Sequence, residues 1–284
     1  MDYRVHRGVE LSAVGVGCYS LSGAYGRKDV DQVVSMLQRA YELGVNLFDT
    51  AEAYGDAETV LGDAVRPFRD KVLISTKVGV REGIKPSLTR SYVHAACEDS
   101  LRRLKTDWID IYSVHFDDPD TPVEETVEAL DDLIAQGKIR SYGLGHLPLS
   151  KAVEYMTKGS VFSVLMEFSA VSRQSSRQLI PVCQQHGAAA IAFSVTGRGL
   201  LTGRVGRETR FEEGDIDKDA HKAFVDLVYC IETAMTLGYV EEPQIMPVFY
   251  KLYGMKPTLN HSSISDLEAI RSEMKRVIRI PSAP

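Results

Sequence analysis

Cysteine is scarce. The four residues, Cys18, Cys97, Cys183 and Cys230, lie far apart in a chain of 284, and no Cys-x-x-Cys pair is present. A disulfide framework and a zinc or iron–sulfur site are therefore not expected, and the thiols read as reduced packing residues. Long apolar runs are missing too. The longest, such as 188–193, fall far short of the roughly 18 residues that a membrane-spanning helix needs. The opening residues, Met1-Asp2-Tyr3-Arg4, do not form a secretory leader, which predicts a cytoplasmic protein. Positive charge is in deficit, with 33 Lys and Arg against 39 Asp and Glu for a formal net charge of −6, and the cations nowhere cluster. Nucleic acid is thereby an unexpected partner, because neutralising phosphates requires concentrated positive charge. Linkers, repeats and low-complexity segments are also wanting.

What the chain does have is 44% hydrophobic and 25% charged residues, an ordinary globular balance. Short β-branched and aliphatic runs alternate with helix-period segments, the pattern of repeated βα units feeding a parallel sheet. Strands are predicted at 13–17, 45–49, 72–77, 108–115, 141–145, 161–166 and 189–194. Helices with apolar residues three or four apart are predicted at 30–43, 57–65, 90–104, 123–136, 149–158 and 175–186. An eighth unit would come from 257–261 and a helix over 265–277, capped by Ser262, Ser263 or Ser265. The charged, glycine-containing stretch 204–214 reads as a loop ahead of a helix at about 219–237. A doubly wound sheet competes, but this many alternations favour a single α/β domain over 1–284 folded as a (β/α)8 TIM barrel, which takes about 250 residues.

In such a barrel the chemistry sits where strands end, so the last residues of each apolar run carry the information. Here they are polar: Asp49 closes the second strand, Lys77 the third and His115 the fourth, with Tyr54 following in the second βα loop. Each has an ordinary structural reading alone. Asp49 could cap a helix, Lys77 snorkel to solvent, His115 sit satisfied in the core and Tyr54 half-bury in a loop. At adjacent strand ends the four converge on one spot, and coincidence becomes the poorer explanation. Gly15-Val16-Gly17-Cys18-Tyr19-Ser20 half resembles a dinucleotide fingerprint, but its third glycine is missing and a Rossmann reading leaves Asp49, Lys77 and His115 without purpose.

Three segments closely resemble the signatures of the aldo-keto reductases: 44–55 (Gly-Val-Asn-Leu-Phe-Asp-Thr-Ala-Glu-Ala-Tyr-Gly), 74–77 (Ile-Ser-Thr-Lys) and 107–115 (Asp-Trp-Ile-Asp-Ile-Tyr-Ser-Val-His). Two later segments are similar to the family's fifth and seventh units: 135–143, and Phe193-Ser194 with 197–203. Order and spacing agree from about residue 11 to 203. The resemblance implies reduction of a small or medium carbonyl compound, or oxidation of the matching alcohol, with NADP(H) or NAD(H) as cofactor and Tyr54 as general acid. A free phenol titrates near ~10, so Lys77 is expected to favour the phenolate while Asp49 keeps Lys77 charged. Neutral His115 would then orient the substrate oxygen.

The same resemblance implies cofactor contacts at Cys18, Tyr19, Asp49 and His146, and at Ser194, Gly197, Leu200 and Gly203 for the pyrophosphate. The carboxyl-terminal part departs from the family's adenosine-phosphate pattern, but Ser262, Ser263 and Arg271 could still grip a phosphate, because a helix start plus an arginine suits an anion. Departures occur where the family holds the nicotinamide carboxamide with a Ser-Asn pair and a Gln. Gly145, His146 and Leu165 stand there, and only His146 can hydrogen-bond through its side chain. Two further readings therefore stay open. One is a non-redox lyase, dehydratase or isomerase using the same four residues, and the other is a non-catalytic binding subunit.

Overall fold

The computed structural model describes residues 1–22, 29–80, 86–169 and 174–195. The predicted eighth unit, the loop at 204–214 and the helix at about 219–237 lie outside them. The chain divides into two compact units, one of Met1–Met166 with Gln178–Phe193 and the other of Glu167–Arg177 with Ser194–Pro284. Nearly all of the described elements belong to the first.

That first unit opens with an antiparallel hairpin, β1 (Tyr3–His6) and β2 (Val9–Ser12), in which His6 pairs with Val9. The strands are joined by Arg7 and Gly8, at φ 48° and 78°. Two consecutive positive φ angles give the turn a twist that matches its flanking strands. The sequence pattern does not predict this hairpin. Its outer strand is exposed along most of its length, so no buried face marks it in the hydrophobic pattern.

Seven parallel strands follow in one sheet, in chain order: β3 (Val16–Gly17), β4 (Leu47–Asp49), β5 (Leu73–Val78), β6 (Ile109–Phe116), β7 (Ile139–His146), β8 (Ser163–Glu167) and β9 (Ala189–Phe193). Helices α1 (Val30–Glu42), α2 (Ala57–Val65), α3 (Arg90–Leu104), α4 (Val123–Ala135), α5 (Leu149–Lys158) and α6 (Gln174–His186) alternate with them. This is the nearly closed parallel barrel of a (β/α)8 fold, in the predicted order. Strand β3 is much shorter than its predicted stretch. At Gly15 a Cβ would lie 3.2 Å from the carbonyl oxygen of Leu47, so the chain passes β4 too closely for a side chain.

Local chemistry sets several boundaries. Asp29 caps α1 by accepting the Gln32 N–H at 3.2 Å. Helix α3 ends where Lys105 turns left-handed at φ 55°. At Gly62 in α2 a Cβ would stand 2.3 Å from the carbonyl oxygen of Leu104, so these two helices meet through a glycine.

Alternation of side chains along each strand sorts the barrel interior into layers. Its floor is the apolar cluster of Leu11, Leu47, Ile111 and Phe162, to which β2 contributes from the hairpin. Two residues further along β5, β6 and β7 the side chains are small: Ser75, Ser113 and Gly143, with Ser163 from β8 beside them. A Cβ on Gly143 would lie 2.7 Å from the Ser113 hydroxyl and 2.8 Å from that of Ser163. Two residues further again, at the carboxyl ends, come Lys77, His115 and Gly145, while Asp49 closes the shorter β4 two residues after Leu47. At the opposite end Asp110 ties β5 to β6. Its carboxylate accepts from Arg69 at 2.7 Å, the Ile74 N–H at 2.9 Å and the Trp108 indole at 3.2 Å. The guanidiniums of Arg69 and Arg140 lie 4.5 and 4.9 Å from the Trp108 ring, which gives that residue a packing role.

Candidate active site

The four residues singled out by strand position meet at one mouth of the barrel. Lys77 is almost fully buried, and an ammonium has three N–H groups to place. One goes to Asp49 Oδ2 at 2.5 Å and a second to the Thr50 carbonyl oxygen at 2.6 Å, on the side where the Tyr54 phenol stands. Asp49 is itself oriented by the Ser75 hydroxyl, which donates to Oδ1 at 2.9 Å. Lys77 Nζ lies 5.1 Å from the Tyr54 ring centroid, and the phenol is flanked edge-on by Tyr19 at 5.0 Å and His115 at 5.7 Å.

Burial and charge compete at each group. For Lys77 burial is the largest influence and disfavours the ammonium. The charges of Asp49 and Tyr54 and the hydrogen bond to Asp49 more than reverse it, and the pKa ends above its ordinary value. For Tyr54 the outcome departs from the sequence expectation. Burial is the strongest influence and raises the pKa, Asp49 and Tyr19 add to it, and the Lys77 charge pulls the phenol down without reversing the rise. The phenol is therefore un-ionised at neutral pH. Burial also dominates His115. Together with the charges of Lys77 and His146 it pushes the imidazole down to about 2, which leaves the ring neutral. Its Nδ1 is buried without a hydrogen-bond partner among the described residues.

Beside the four lies a run of rings. His115 stacks on Phe116 at 4.4 Å, Phe116 on His146 at 5.3 Å with the planes 12° apart, and His146 meets Phe193 edge-on at 4.7 Å. Phe116 and His146 are exposed, so the rings offer a flat face beside the proton-handling group.

Of the other residues expected at the site, Tyr19 borders Tyr54, half turned to solvent. Cys18 is 2% exposed, its N–H bonds the Asp49 carbonyl oxygen at 2.7 Å, and burial pushes its thiol up to about 12. Ser194 has a left-handed backbone at φ 52°, uncommon for serine and typical of a tight turn. Gly197, Leu200, Gly203, Ser262 and Arg271 lie outside the described residues. Leu165 is buried, and at Gly145 a Cβ would stand 2.8 Å from the His115 carbonyl oxygen. The departure at 145 thus has a packing cause: β7 runs too close to β6 for a serine.

Three participants are not announced by the sequence pattern used above. Thr50 holds Lys77 through its backbone carbonyl, which no side-chain pattern reveals. Ser75 was legible in principle, since it precedes Lys77 by two on the same strand and so shares its face. The third is Glu52, an acid in a loop. Among the described residues no group of three or more His, Cys, Asp or Glu could hold a metal ion, and no helix is long and apolar enough to cross a membrane.

Residues 13–259 match the pattern described as the aldo/keto reductase family. The uncharacterized oxidoreductase YqkF of Bacillus subtilis is 34% identical over 201 residues, covering 68% of this chain and 64% of that protein. The chain thus spans just under two thirds of that relative's length. Among solved structures, the aldo-keto reductase AKR11C1 from Bacillus halodurans in its holo form superposes with a TM-score of 0.65 at 30% identity, over 75% of this chain and 71% of that one. An aldo/keto reductase from Klebsiella pneumoniae in complex with NADP and acetate gives a TM-score of 0.60 at 27% identity, over 87% and 93% of the two chains.

Proposed function

This chain belongs to the aldo/keto reductase family, and on that basis we propose that it reduces a small or medium carbonyl compound to the alcohol, or runs the reverse, with NADP(H) and with Tyr54 as the proton donor. The observation that carries the reading is the buried Lys77 ammonium, fixed by Asp49 and the Thr50 carbonyl beside the Tyr54 ring. A proton leaving Tyr54 would place negative charge on the phenol oxygen next to an ammonium already fixed in position. Such fixed charge is the main resource a partly dry site has for stabilising a transient anion.

His115 supports the same reading. Its neutral ring has one N–H, and Nδ1 faces no acceptor among the described residues. A buried N–H left without a partner costs about 1–3 kcal/mol. We therefore assign the proton to Nε2, where it can be donated to a substrate oxygen. Tyr54 and His115 would then both donate to that oxygen, one giving up its proton and the other orienting the carbonyl.

The mouth of the barrel fits a nicotinamide. Phe116 and His146 offer a flat ring surface next to the phenol, bordered edge-on by Phe193, and His146 supplies a hydrogen-bonding edge where Gly145 and Leu165 supply none. Within the first unit Tyr19, His146, Asp49 and the backbone at Cys18 are the residues proposed to hold the cofactor. When bound, a reduced nicotinamide supplies the hydride. The Klebsiella pneumoniae protein binds NADP, which favours NADP(H) over NAD(H).

One observation favours a second reading. With Gly145 and Leu165 unable to bond a carboxamide, the four residues could instead manage protons for an elimination or isomerisation beside a carbonyl. Titration calorimetry with NADP(H) and NAD(H), paired with assays of Tyr54→Phe, separates the two. Nucleotide binding with carbonyl-dependent NADPH oxidation, lost by about 10²- to 10⁴-fold in Tyr54→Phe, supports the reductase. Absence of nucleotide binding, with some other conversion abolished in Tyr54→Phe, supports the second reading.

A further inference from the structure

We infer that Glu52 is a positioning residue for the proton-transfer site, holding the segment that carries Tyr54 in register with the strand that carries Lys77. The inference rests on the functional reading above only for what the site does, since the geometry stands by itself.

Strand β4 ends at Asp49, yet the chain continues to pair along β5 for several residues. The Thr50 N–H donates to the Ser75 carbonyl at 2.8 Å, and the Glu52 N–H donates to the Lys77 carbonyl at 3.3 Å. In a parallel ladder the next β5 donor, the Gly79 N–H, would seek a carbonyl on the neighbouring strand. The main chain has by then turned away: the Tyr54 N–H bonds Ala51 at 3.1 Å, and Ala57 closes back on the Tyr54 carbonyl at 3.1 Å to begin α2. The Glu52 carboxylate stands in for the missing carbonyl, accepting the buried Gly79 N–H at 2.8 Å. The same oxygen accepts the Tyr92 hydroxyl from α3 at 3.2 Å. A single buried acid, 8% exposed, thus links the Tyr54 segment, the end of β5 and α3.

Glu52 lies two residues before Tyr54, and Gly79 two residues after Lys77. Any slip of the segment along β5 would therefore move the phenol relative to the ammonium. The charges that act most strongly on the Tyr54 phenol are those of Lys77, Asp49 and Tyr19. The influence of Glu52 on the site is one of position. An acceptor of the same length should serve equally well whether or not it is charged.

The test compares Glu52→Gln, Glu52→Asp and Glu52→Ala with the parent, reading three quantities. These are kcat and KM for a simple aldehyde, the Tyr54 titration by difference absorbance against a Tyr54→Phe background, and the melting temperature. Glu52→Gln keeps an oxygen at the right distance and is expected to retain kcat and the Tyr54 titration. Glu52→Asp keeps the charge but withdraws the acceptor. Misplacement on the order of 1 Å can cost up to about a hundredfold, so Glu52→Asp and Glu52→Ala should lose at least about tenfold in kcat with a smaller change in KM. In both, the Tyr54 titration should fall toward the ordinary tyrosine value as water reaches a displaced phenol. If Glu52→Ala does not fold, the Gln and Asp pair decides alone.

The inference is overturned if Asp or Ala lowers only the melting temperature, or if Gln is impaired as much as Asp. If the parent reduces no carbonyl and yet the Tyr54 titration moves in Glu52→Asp and not in Glu52→Gln, positioning stands and the reductase reading falls. If the parent reduces the aldehyde and no variant shifts the titration, the reductase reading stands and positioning falls.

Discussion

His115 shows how a single side chain can report on its surroundings. Its imidazole is pushed down to about 2, first by burial and then by Lys77 and His146, whereas an unfolded chain protonates histidine near its ordinary 6.5. Below that ordinary value the unfolded state takes up a proton that the native state refuses, so stability falls as pH falls. Above it neither state binds the proton and the dependence vanishes. The slope from this one residue is about 1.4 kcal/mol per pH unit in the acid range. Denaturant midpoints measured between pH 4 and pH 7 should therefore show a steeper acid loss in the parent than in His115→Gln, which has nothing to titrate there. Equal slopes would mean that the ring is charged or solvated in the native protein. Much at this scale was legible beforehand. Asp49, Lys77 and His115 end adjacent strands, and alternation places all three on the inner face. The acidity of Tyr54 was not legible. The sequence shows that a lysine is near, but whether its charge or the burial of the phenol prevails depends on how tightly Tyr19, His115 and the 50–56 segment enclose the ring.

At the scale of elements, apolar runs and helix periods placed all six described α-helices and all seven barrel strands, β3 only as a shorter strand than predicted. The hairpin of β1 and β2 gave no such signal, and the pairing of the 50–56 segment with β5 depends on a side chain imitating a backbone acceptor, which has no period to detect. Elements also explain why the family pattern is broken at the end of β7. A serine at 145 would place its Cβ 2.8 Å from the His115 carbonyl oxygen and 2.9 Å from that of Val114, both backbone atoms of β6. Neither can move without opening the β6–β7 ladder. Gly145→Ser, although it introduces the hydroxyl common in the family, should therefore lower stability by about 1–3 kcal/mol, as overpacked cores do. It should also weaken nucleotide binding, because His115 and His146 ride on the two strands forced apart. Calorimetric titration with NADP(H) on the folded variant checks this, and a gain in affinity would show that the site tolerates the separation.

Across the whole first unit, stability and chemistry occupy opposite ends of one barrel. The closed floor of Leu11, Leu47, Ile111 and Phe162 excludes water beneath, a middle layer of serines and Gly143 lies between, and charged and aromatic groups meet at the mouth. Leu11 enters that floor from the hairpin and not from a barrel strand, so shortening it removes packing without shifting the register of β4, β5 or β6. Leu→Ala in a buried cluster costs about 2–5 kcal/mol, through lost transfer energy plus the cavity left behind. Leu11→Ala should accordingly lower the melting temperature by several degrees, about 2–4 °C per kcal/mol for a chain of this size, while the kcat of the folded fraction stays within about twofold. Tyr54→Phe is expected to do the reverse, removing one half-buried hydroxyl at little cost to stability and abolishing proton donation. A Leu11→Ala protein that melted normally would show that the floor does not depend on the hairpin. One that lost kcat in proportion to stability would show that floor and mouth are coupled through the strands, contrary to the separation proposed here.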